Sequence, residues 1–384
     1  MPQIKPEVEA FARIKVLGVG GSGKNAINHM ITSKVRGVDF VAINTDAQDL
    51  HHSQAKKKIH VGKNLTRGLG TGMNPDLGRR AVEETLEDIQ EAIKGSDMVF
   101  ITGGCGGGTF SGAAPKIAQI AKELGSLTVA VTTKPFFFEG QQRLRIAEQA
   151  LDELRKSVDA IIIVPNDRLL ANIDKETTAK SAFALCDDVL KNAVEGISDL
   201  ITTPGIINID FADIRAVMEN AGSALMGIGS ATGENRAVEA AKLAINSPLL
   251  EVSIAGARGV LFSIAGGEDI TMFEIQDAAK IITESVDPNA KIIFGTVRSD
   301  RLKKGEIKIT VIASGFPENQ SLEKKSAPLS QNNNEPVGKI YNSVPPQVSP
   351  KEKVQAPEQK KVIIDDADDD WGAVPAFLRR SKLK

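Results

Sequence analysis

The residues of this 384-residue chain that are best suited to chemistry are the glycines and hydroxyls of Ile101-Thr-Gly-Gly-Cys-Gly-Gly-Gly-Thr-Phe-Ser-Gly-Ala-Ala-Pro115. An apolar run precedes this stretch and predicts a buried strand, and residues 113–122 predict a helix. Because glycine has no Cβ, such a loop can approach an anion closely, and the free N–H groups at a helix start attract phosphate. Thr109 and Ser111 add hydroxyl donors. The pattern therefore predicts a phosphate-binding loop, since a flexible linker rarely joins a strand to a helix start.

A second glycine-rich loop, Gly18-Val-Gly-Gly-Ser-Gly-Lys-Asn25, follows the first predicted strand. It fits the dinucleotide fingerprint G-x-G-x-x-G. It also nearly fits the P-loop pattern, but Asn25 stands where Ser or Thr would bind Mg²⁺. Both interpretations place phosphates at the N-terminus of the helix predicted over residues 26–33. A nicotinamide-dependent oxidoreductase would use this fingerprint alone and would leave the loop at 103–112 without a role.

Two further segments carry candidate site residues. Asn44-Thr-Asp46 ends the second predicted strand, and Thr71-Gly-Met73 lies in another glycine-rich segment that is a candidate phosphate loop. A helix is predicted after it, over residues 75–94. Glu139 and Arg143 are four residues apart, so on a helix they share one face. They would form a surface ion pair unless they bind a ligand.

The alternation of strands and helices from residue 13 to residue 168 predicts a parallel sheet covered on both faces. Residues 177–201 predict one long amphipathic helix, which spans more than one layer. The chain is therefore expected to be an α/β protein with a disordered linker, since residues 317–361 are polar and lack any period. The predicted segments are an N-terminal extension (1–12), a nucleotide-binding domain (13–176), a central helix (177–203), a second α+β domain (204–316), a linker (317–361) and a short C-terminal tail (362–384).

Polar residues on and after the long helix are candidates for base recognition and catalysis. Phe183 and Asp187 share one helix face, and a ring beside a carboxylate suits guanine, whose N1–H and 2-amino group would donate to the carboxylate. Core packing of the ring beside a solvated carboxylate is the alternative. Asn208, Asp210 and Asp213 stand in an apolar setting. Asp210 suits a helix N-cap, which leaves the set of three less well explained.

Composition excludes several classes of function. A net charge of −2 gives no electrostatic case for nucleic acid as a partner. Two cysteines are too few for a disulfide framework and suit a reducing cytosol. The N-terminus lacks the apolar core of a signal peptide, and no apolar run is long enough to span a bilayer. We therefore expect a cytoplasmic protein that does not insert directly into a membrane.

Several motifs carry a resemblance to one family. Gly106-Gly-Gly-Thr-Phe-Ser-Gly112 resembles the tubulin-superfamily signature G-G-G-T-G-[ST]-G, and the surrounding sequence is similar to the bacterial cell-division branch of the tubulin/FtsZ GTPase family. Asn44-Thr-Asp46 resembles that family's N-T-D motif, and Thr71-Gly-Met73 resembles its γ-phosphate loop. Asn208-Ile-Asp-Phe-Ala-Asp213 resembles its synergy loop. The similarity covers about residues 14–315 and the tail.

The resemblance implies a Rossmann-like, parallel-sheet GTPase domain that binds GTP or GDP, with Mg²⁺ held through the phosphates and no metal held by the protein alone. In the family the Glu at position 139 meets the ribose and the Arg at position 143 meets the phosphates. The nucleotide-binding residues it implies are Gly20, Gly21, Ser22, Gly23, Lys24, Asn25, Asn44, Asp46, Thr71, Gly72, Met73, Gly104, Gly106, Gly107, Gly108, Thr109, Phe110, Ser111, Gly112, Glu139, Arg143, Asn166, Phe183 and Asp187.

The implied function is that of a self-polymerising cytoskeletal GTPase of the cell-division ring at mid-cell. Asn208, Asp210 and Asp213 would complete the site of the next subunit along a head-to-tail filament, so that GTP is hydrolysed at subunit interfaces. The tail resembles the family's docking peptide for membrane-tethering, FtsA-like and regulatory division proteins. Its anchor residues would be Val374, Pro375, Phe377, Leu378, Arg379 and Arg380.

Three positions depart from the family pattern. Ser22 and Lys24 replace glycines, and Lys24 would either add a phosphate contact or point outward. Phe110 replaces a glycine of the signature. If that position needs a positive φ, Phe110 would strain the loop by roughly 1–3 kcal/mol, and its ring would also obstruct a phosphate. The hypothesis is that GTP binds with reduced affinity or turnover. The alternative is a polymerising or regulatory relative with weak or absent hydrolysis.

Overall fold

The computed structural model describes residues 12–170, 177–250, 253–299 and 301–316. The predicted extension up to residue 11, the linker and the docking tail lie outside the described residues. Within the described part, no helix is long and apolar enough to cross a membrane.

The described residues form strands and helices in alternation along most of the chain. The strands are β1 (Ile14–Val19), β2 (Val38–Asn44), β3 (Lys57–His60), β4 (Met98–Gly104), β5 (Leu127–Lys134), β6 (Ala160–Pro165), β7 (Gly222–Thr232), β8 (Gly259–Gly266), β9 (Lys291–Arg298) and β10 (Glu306–Ser314). The helices are α1 (Gly20–Thr32), α2 (Ala47–His51), α3 (Lys63–Thr66), α4 (Pro75–Glu84), α5 (Leu86–Ile93), α6 (Gly108–Glu123), α7 (Gln141–Ser157), α8 (Asn166–Leu170), α9 (Ala179–Thr202), α10 (Phe211–Met218), α11 (Arg236–Ile245) and α12 (Met272–Glu284).

One sheet runs through the described residues, in the order β3-β2-β1-β4-β5-β6-β7-β10-β8-β9. The pairings from β3 to β6 are all parallel. The order β3-β2-β1-β4-β5-β6 is that of doubly wound nucleotide-binding folds, in which ligands bind at the carboxyl ends of the strands where the order reverses. The predicted α/β architecture is confirmed, and it places a candidate site above β1 and β4.

The second part of the sheet contains both antiparallel and parallel pairings. Strand β7 pairs antiparallel with β10, β10 pairs antiparallel with β8, and β8 pairs parallel with β9. The sequence did not predict β7, because its glycines disfavour a strand. The structure explains two of them: a Cβ on Gly227 would lie 2.0 Å from the Ala244 carbonyl oxygen, and one on Gly229 would lie 2.1 Å from that of Ala240. Helix α11 therefore packs closely against this strand.

Helix α9 confirms the predicted long helix. Its buried stripe includes Val189, Val194 and Ile197, which belong to a core shared with α1, α10 and the sheet. Apolar burial of this kind contributes about 25 cal/mol per Å². A helix of 24 residues is about 36 Å long, which is more than the depth of one layer.

Three predicted helix boundaries were wrong, and one of them is that of α6, which begins at Gly108 and not at residue 113. Helix α1 begins at Gly20 rather than at residue 26, so the glycine loop itself forms the first turn. The helix predicted over residues 75–94 is two helices, which meet at Thr85, where φ is −118° and ψ is 31°. The Thr85 hydroxyl donates to the Ala81 carbonyl oxygen at 2.7 Å, a local bond that competes with continuation of the helix.

Glycines allow the two phosphate-facing helices to pack closely. A Cβ on Gly23 would lie 2.5 Å from the Thr102 carbonyl oxygen, so α1 sits directly on β4. A Cβ on Gly112 would lie 1.8 Å from the Pro75 carbonyl oxygen, so α6 sits directly on α4. Neither position has room for a side chain, so both glycines serve close packing, and the nucleotide contacts that the resemblance implies for their backbones stay a prediction.

Candidate nucleotide-binding site

A cleft of about 420 Å³ opens at the carboxyl ends of β1, β4, β5 and β6. Fourteen of the residues implied by the resemblance line it: Gly20, Gly21, Ser22, Asn25, Gly104, Gly107, Gly108, Thr109, Phe110, Glu139, Arg143, Asn166, Phe183 and Asp187. The other nucleotide-binding residues that the resemblance implies do not line the cleft and lie in the structure around it. Sequence reasoning missed Thr133, Pro135 and Leu190, which also line it and whose apolar or hydroxyl side chains carry no motif.

The first turn of α1 forms one wall of the cleft. Gly20 has a φ of 72°, a conformation that favours glycine. The Ser22 hydroxyl accepts a hydrogen bond from the Gly104 N–H at 2.8 Å, which ties this turn to the central loop. The α1 N-terminus has no side-chain cap. Its free N–H groups and the helix dipole therefore suit an anion.

Lys24 does neither of the two things expected from the sequence. Its side chain is buried and its Nζ lies 2.6 Å from Oδ1 of Asp49. The other Asp49 oxygen accepts from the Asn44 amide at 2.8 Å. Lys24 therefore stabilises the packing beneath the loop instead of pointing outward or into the cleft. Asp49 belongs to no motif, so its role could not be predicted from sequence.

The start of α6 forms the opposite wall. A Cβ on its N-cap residue, Gly107, would meet nothing within 4 Å, so the backbone there faces open space. The Thr109 hydroxyl bonds to the hydroxyls of Thr45 and Thr71, at 2.7 and 3.3 Å. The Ser111 hydroxyl is buried and accepts from the Gly106 N–H at 3.0 Å. This bond shapes the loop and leaves the hydroxyl proton of Ser111 for a further acceptor, so its role as a donor to a ligand stays a prediction.

The predicted strain at Phe110 was also wrong. Phe110 lies in the helical first turn of α6 and is not among the described residues with positive φ. Its side chain is 2% exposed and packs in the core with Leu17, Val19 and Ile101. The ring therefore lies behind the loop rather than in the cleft, although the backbone of Phe110 remains part of the cleft wall.

Two predicted loops support the cleft from outside. Asn44 Oδ1 accepts from the Thr45 N–H at 2.8 Å, and Asp46 caps α2 by accepting from the Asp49 N–H at 2.9 Å. Gly72 and Met73 both have positive φ, at 57° and 64°. Thr71 is buried beside Gly108, since a Cβ on that glycine would lie 2.4 Å from Thr71 Oγ1.

Glu139 and Arg143 lie at the side of the cleft and form an ion pair with an N···O distance of 2.7 Å. The sequence predicted that Glu139 and Arg143 lie on one helix, and this was wrong. Glu139 lies in the short turn Phe137–Glu139, which precedes α7, the helix that carries Arg143. Its other oxygen accepts from the Phe136 N–H at 2.9 Å. The pair therefore places one cation and one carboxylate at the wall of the cleft.

The far end of the cleft combines an aromatic ring with polar groups. Phe183 is 48% exposed and meets Phe136 edge to face, with ring centroids 5.4 Å apart. Burial raises the pKa of Asp187 to about 6, with His29 lowering the pKa and Asp188 raising it. Among the described residues, the buried Oδ1 of Asn166 has no hydrogen-bond partner.

A buried acceptor without a partner costs free energy, and Asn166 lines the cleft. The arrangement therefore fits a ligand with hydrogen-bond donors at this end and an anionic group at the other. Cys105 and Cys186 also line the cleft, but burial raises the pKa of each thiol to about 12. Neither thiol is a nucleophile at neutral pH.

The three polar residues after α9 lie away from this cleft. Asn208 Oδ1 accepts from the Gly205 N–H at 2.7 Å, and Asp210 caps α10 by accepting from the Asp213 N–H at 2.8 Å. From Asp187 to the end of α9 is about 22 Å along the helix axis. Arg215 of α10 donates to the Gly125 carbonyl oxygen, just before β5 begins. These residues therefore lie at the amino edge of the parallel sheet, opposite the cleft.

A doubly wound sheet whose two glycine-rich helix starts meet at the point where the strand order reverses defines a nucleotide-binding protein. Comparisons with known proteins narrow this class. The Tubulin/FtsZ family GTPase-domain model matches residues 13–174, and the FtsZ family C-terminal-domain model matches residues 222–317. An empty FtsZ dimer from M. jannaschii is 45% identical, with 80% of this chain and 89% of that chain covered and a TM-score of 0.77. The chain belongs to the FtsZ family.

Two more distant structures share the fold. CetZ2 from Haloferax volcanii, solved as a GTPγS-bound protofilament, is 20% identical over 80% of this chain and 94% of its own, with a TM-score of 0.68. CetZ1 from the same organism, solved as a GDP-bound monomer, is 20% identical over 80% of this chain and 95% of its own, with a TM-score of 0.70. At this identity the likeness concerns the fold alone. A bacterial source stays a prediction.

Proposed function

We propose that this protein is a GTP-binding, self-polymerising GTPase that forms head-to-tail filaments and hydrolyses GTP at the contact between subunits. One observation carries the proposal: the cleft has two uncapped helix N-termini at one end and a ring with a carboxylate at the other. The first end suits phosphates. The second end suits a base with donors on one edge, as guanine has.

The residues at the base end support guanine over adenine. The Asp187 carboxylate would accept from N1–H and the 2-amino group of guanine, whereas adenine offers an unprotonated N1 there. The buried Oδ1 of Asn166 would gain the donor that it lacks. Phe183 is exposed enough to stack on the base. A site with buried polar groups rejects a ligand that leaves them unpaired.

The phosphate end supports binding but contains no obvious group to activate water. The cleft carboxylates are Glu139, which is paired with Arg143, and Asp187, which lies at the base end. Mg²⁺ bound to the phosphates would offset negative charge as GTP is hydrolysed to GDP. Arg143 would contribute a cation there, and the backbone N–H groups of α1 and α6 would fix the phosphates for in-line attack.

The missing carboxylates are supplied in trans in this proposal. Asp210 and Asp213 lie at the opposite edge of the sheet, so they reach a cleft only if a second copy stacks on the first. Such a heterologous contact grows an open filament. Asp210 is engaged in capping α10, and Asp213 is therefore the better candidate to orient the attacking water, with Asn208 holding the turn that positions both.

Exposed apolar side chains at both ends support such stacking. Phe137 and Phe138, beside the cleft, are 68% and 69% exposed. Near the opposite edge, Ile206, Met272 and Phe273 are also largely exposed. Large apolar side chains exposed together indicate an interaction surface. A contact between these two surfaces would remove both from water.

A role in the cell-division ring follows from family membership. The protein would act in the cytoplasm at the division site, and the tail residues Val374–Arg380 would dock in an FtsA-like membrane-tethering or regulatory partner. The second candidate function is that of a polymerising or regulatory relative that does not hydrolyse GTP. That alternative was based on the strain that Phe110 was expected to cause in the phosphate loop. The helical backbone and buried ring of Phe110 favour the active GTPase.

The test is phosphate release from GTP with Mg²⁺ across a protein dilution series, with light scattering read in parallel. Specific activity that rises above a threshold concentration together with scattering supports a site shared between subunits. Constant specific activity at all dilutions contradicts it. ATP serves as the matched control, since the Asp187 end of the cleft should reject adenine.

A further inference from the structure

The Phe110 ring occupies the space that a side chain at Gly103 would need. A Cβ on Gly103 would lie 2.3 Å from Phe110 Cδ2 and 2.7 Å from Cε2, and 2.8 Å from the Val19 carbonyl oxygen. Distances below about 3 Å are not tolerated between packed carbon atoms. The ring at position 110 and the absence of a side chain at position 103 therefore depend on one another.

The ring lies at a junction that matters for the cleft. Gly103 is the penultimate residue of β4, where the chain leaves the sheet for the phosphate-facing loop. Behind it the ring packs with Val19, the last residue of β1. A Cβ on Gly20 would lie 3.5 Å from the Phe110 backbone nitrogen. Phe110 thus lies beside Gly103 at the end of β4, shares a core cluster with Val19 at the end of β1, and has its backbone close to Gly20 in the first turn of α1.

We propose that Phe110 and Gly103 are a matched pair that fixes the shape of the phosphate loop, so that Phe110 is a positioning residue that supports GTP binding. This inference rests on the proposed GTP site. The buried ring fills the space behind the loop. The loop backbone at Gly103 therefore cannot move toward the core without meeting the ring. Gly103, seven residues earlier, thereby leaves room for the aromatic ring that this chain has within the signature.

The pair predicts that Phe110→Ala changes GTP affinity in opposite directions in the natural chain and in the Gly103→Ala variant. Phe110→Ala in the natural chain removes the ring and leaves a cavity behind the loop, so we expect GTP affinity to fall by about tenfold. Gly103→Ala drives a methyl group into the ring and lowers affinity at least as much. In the Gly103→Ala background, Phe110→Ala removes the clash, and we expect it to raise affinity. The contact of the same Cβ with the Val19 backbone oxygen, at 2.8 Å, and the Gly103 φ of 159° remain in the double variant, so the expected recovery of affinity is partial.

The experiment measures GTP affinity and nucleotide-free thermal stability for the full chain, both single variants and the double variant. Phe262→Ala is the matched control, because it removes a buried ring in the second domain, away from the cleft. It should lower stability without changing the affinity of the folded protein. Phe110→Leu keeps apolar volume and should fold if the alanine variant does not, with an intermediate loss of affinity.

Two results would overturn the matched pair. One is that Phe110→Ala changes affinity in the same direction in both backgrounds. The other is that it binds GTP as tightly as the natural chain, in which case the ring positions nothing. If the natural chain itself binds no guanine nucleotide, the proposed function fails instead. The stability measurements then still test whether Phe110 and Gly103 are matched. If they are, the double variant is more stable than Gly103→Ala alone.

Discussion

Lys24 Nζ lies 2.6 Å from the Asp49 carboxylate beneath the first turn of α1. A Cβ on Gly21 would lie only 3.4 Å from the other oxygen of that carboxylate, so a negative charge sits directly behind a loop that is suited to anions. An unpaired carboxylate there would repel phosphate. By pairing with Asp49, the lysine offsets that negative charge beneath the loop.

Lys24→Ala should lower GTP affinity by about three- to tenfold, because it exposes the phosphates to the Asp49 charge. Lys24→Ala combined with Asp49→Asn should recover most of the loss. Affinity is measured at low and high salt, and the loss should shrink as salt rises. A double variant as weak as Lys24→Ala alone would mean that Lys24 contacts a phosphate directly.

GTP affinity should depend on the ionisation of Asp187. Burial raises its pKa to about 6, and the carboxylate accepts from both guanine N1–H and the 2-amino group, whereas the protonated acid turns one of its oxygens into a donor. Affinity should therefore be constant above pH 7 and fall below pH 6 by up to about tenfold per pH unit. Asp187→Asn should bind more weakly and without this pH dependence.

The groups that face Asp187 supply the control for this titration. His29 and Asp188 both act on its charge, and His29 lies 2.9 Å from Asp188. His29→Gln removes the imidazole and should leave the fall in affinity near pH 6 in place. A pH profile that flattens in His29→Gln but persists in Asp187→Asn would assign the titration to the histidine instead.

Asp199 should destabilise the nucleotide-free protein at neutral pH. Burial raises its pKa to about 6, with Glu195 adding to the shift and Arg301 and Lys308 opposing it. Because the pKa of Asp199 is raised in the folded state, its contribution to folding stability is fully present below the unfolded pKa near 3.8. That contribution is lost as the pH rises through 6, where the buried side chain must ionise. Asp199→Asn should therefore raise the free energy of unfolding at pH 8 by roughly 1–3 kcal/mol.

The effect of Asp199→Asn should vanish near pH 4, where the native side chain is already neutral. Urea unfolding at pH 4, 6 and 8 measures it. An equal gain in stability at all three pH values would show that the effect comes from packing and not from the charge.

Two glycines of the central loop should respond differently to alanine. Gly112→Ala forces a Cβ against the Pro75 oxygen and should lower stability by roughly 1–3 kcal/mol or more. Gly107→Ala meets no atom within 4 Å and should leave stability unchanged. Its methyl group would project at the uncapped start of α6, so GTP affinity should fall. Thermal unfolding and GTP binding of both variants separate packing from ligand contact.

The sequence predicted those features of the fold that rest on local pattern. The glycine loops after apolar runs predicted a helix after each loop, although α1 and α6 both begin within the glycines, and the apolar stripe of residues 177–201 predicted α9. Strand β7 was missed because its glycines oppose a strand locally, and only the contact with α11 explains them. Thr85 also reads as an ordinary helix residue in sequence, yet α4 ends there.

The site was predictable where residue type alone decides chemistry, as for the ring and carboxylate at positions 183 and 187. It was not predictable where function depends on long-range contacts. Asp49 carries no motif, and its pairing with Lys24 appears only when α1 and α2 meet. The space for the Phe110 ring depends on Gly103, which in sequence is one glycine among several.

The central claim is that each active site is shared between two subunits, and mixing two inactive variants tests it most directly. Asp187→Ala disables the cleft, and Asp213→Ala disables the opposite edge. In an equal mixture, about a quarter of head-to-tail contacts would join an intact cleft to an intact Asp213. GTPase activity should be absent from each variant alone and should return to roughly a quarter of the natural rate in the mixture. A mixture that co-assembles by light scattering but releases no phosphate would contradict the shared site, as would full activity of Asp213→Ala alone.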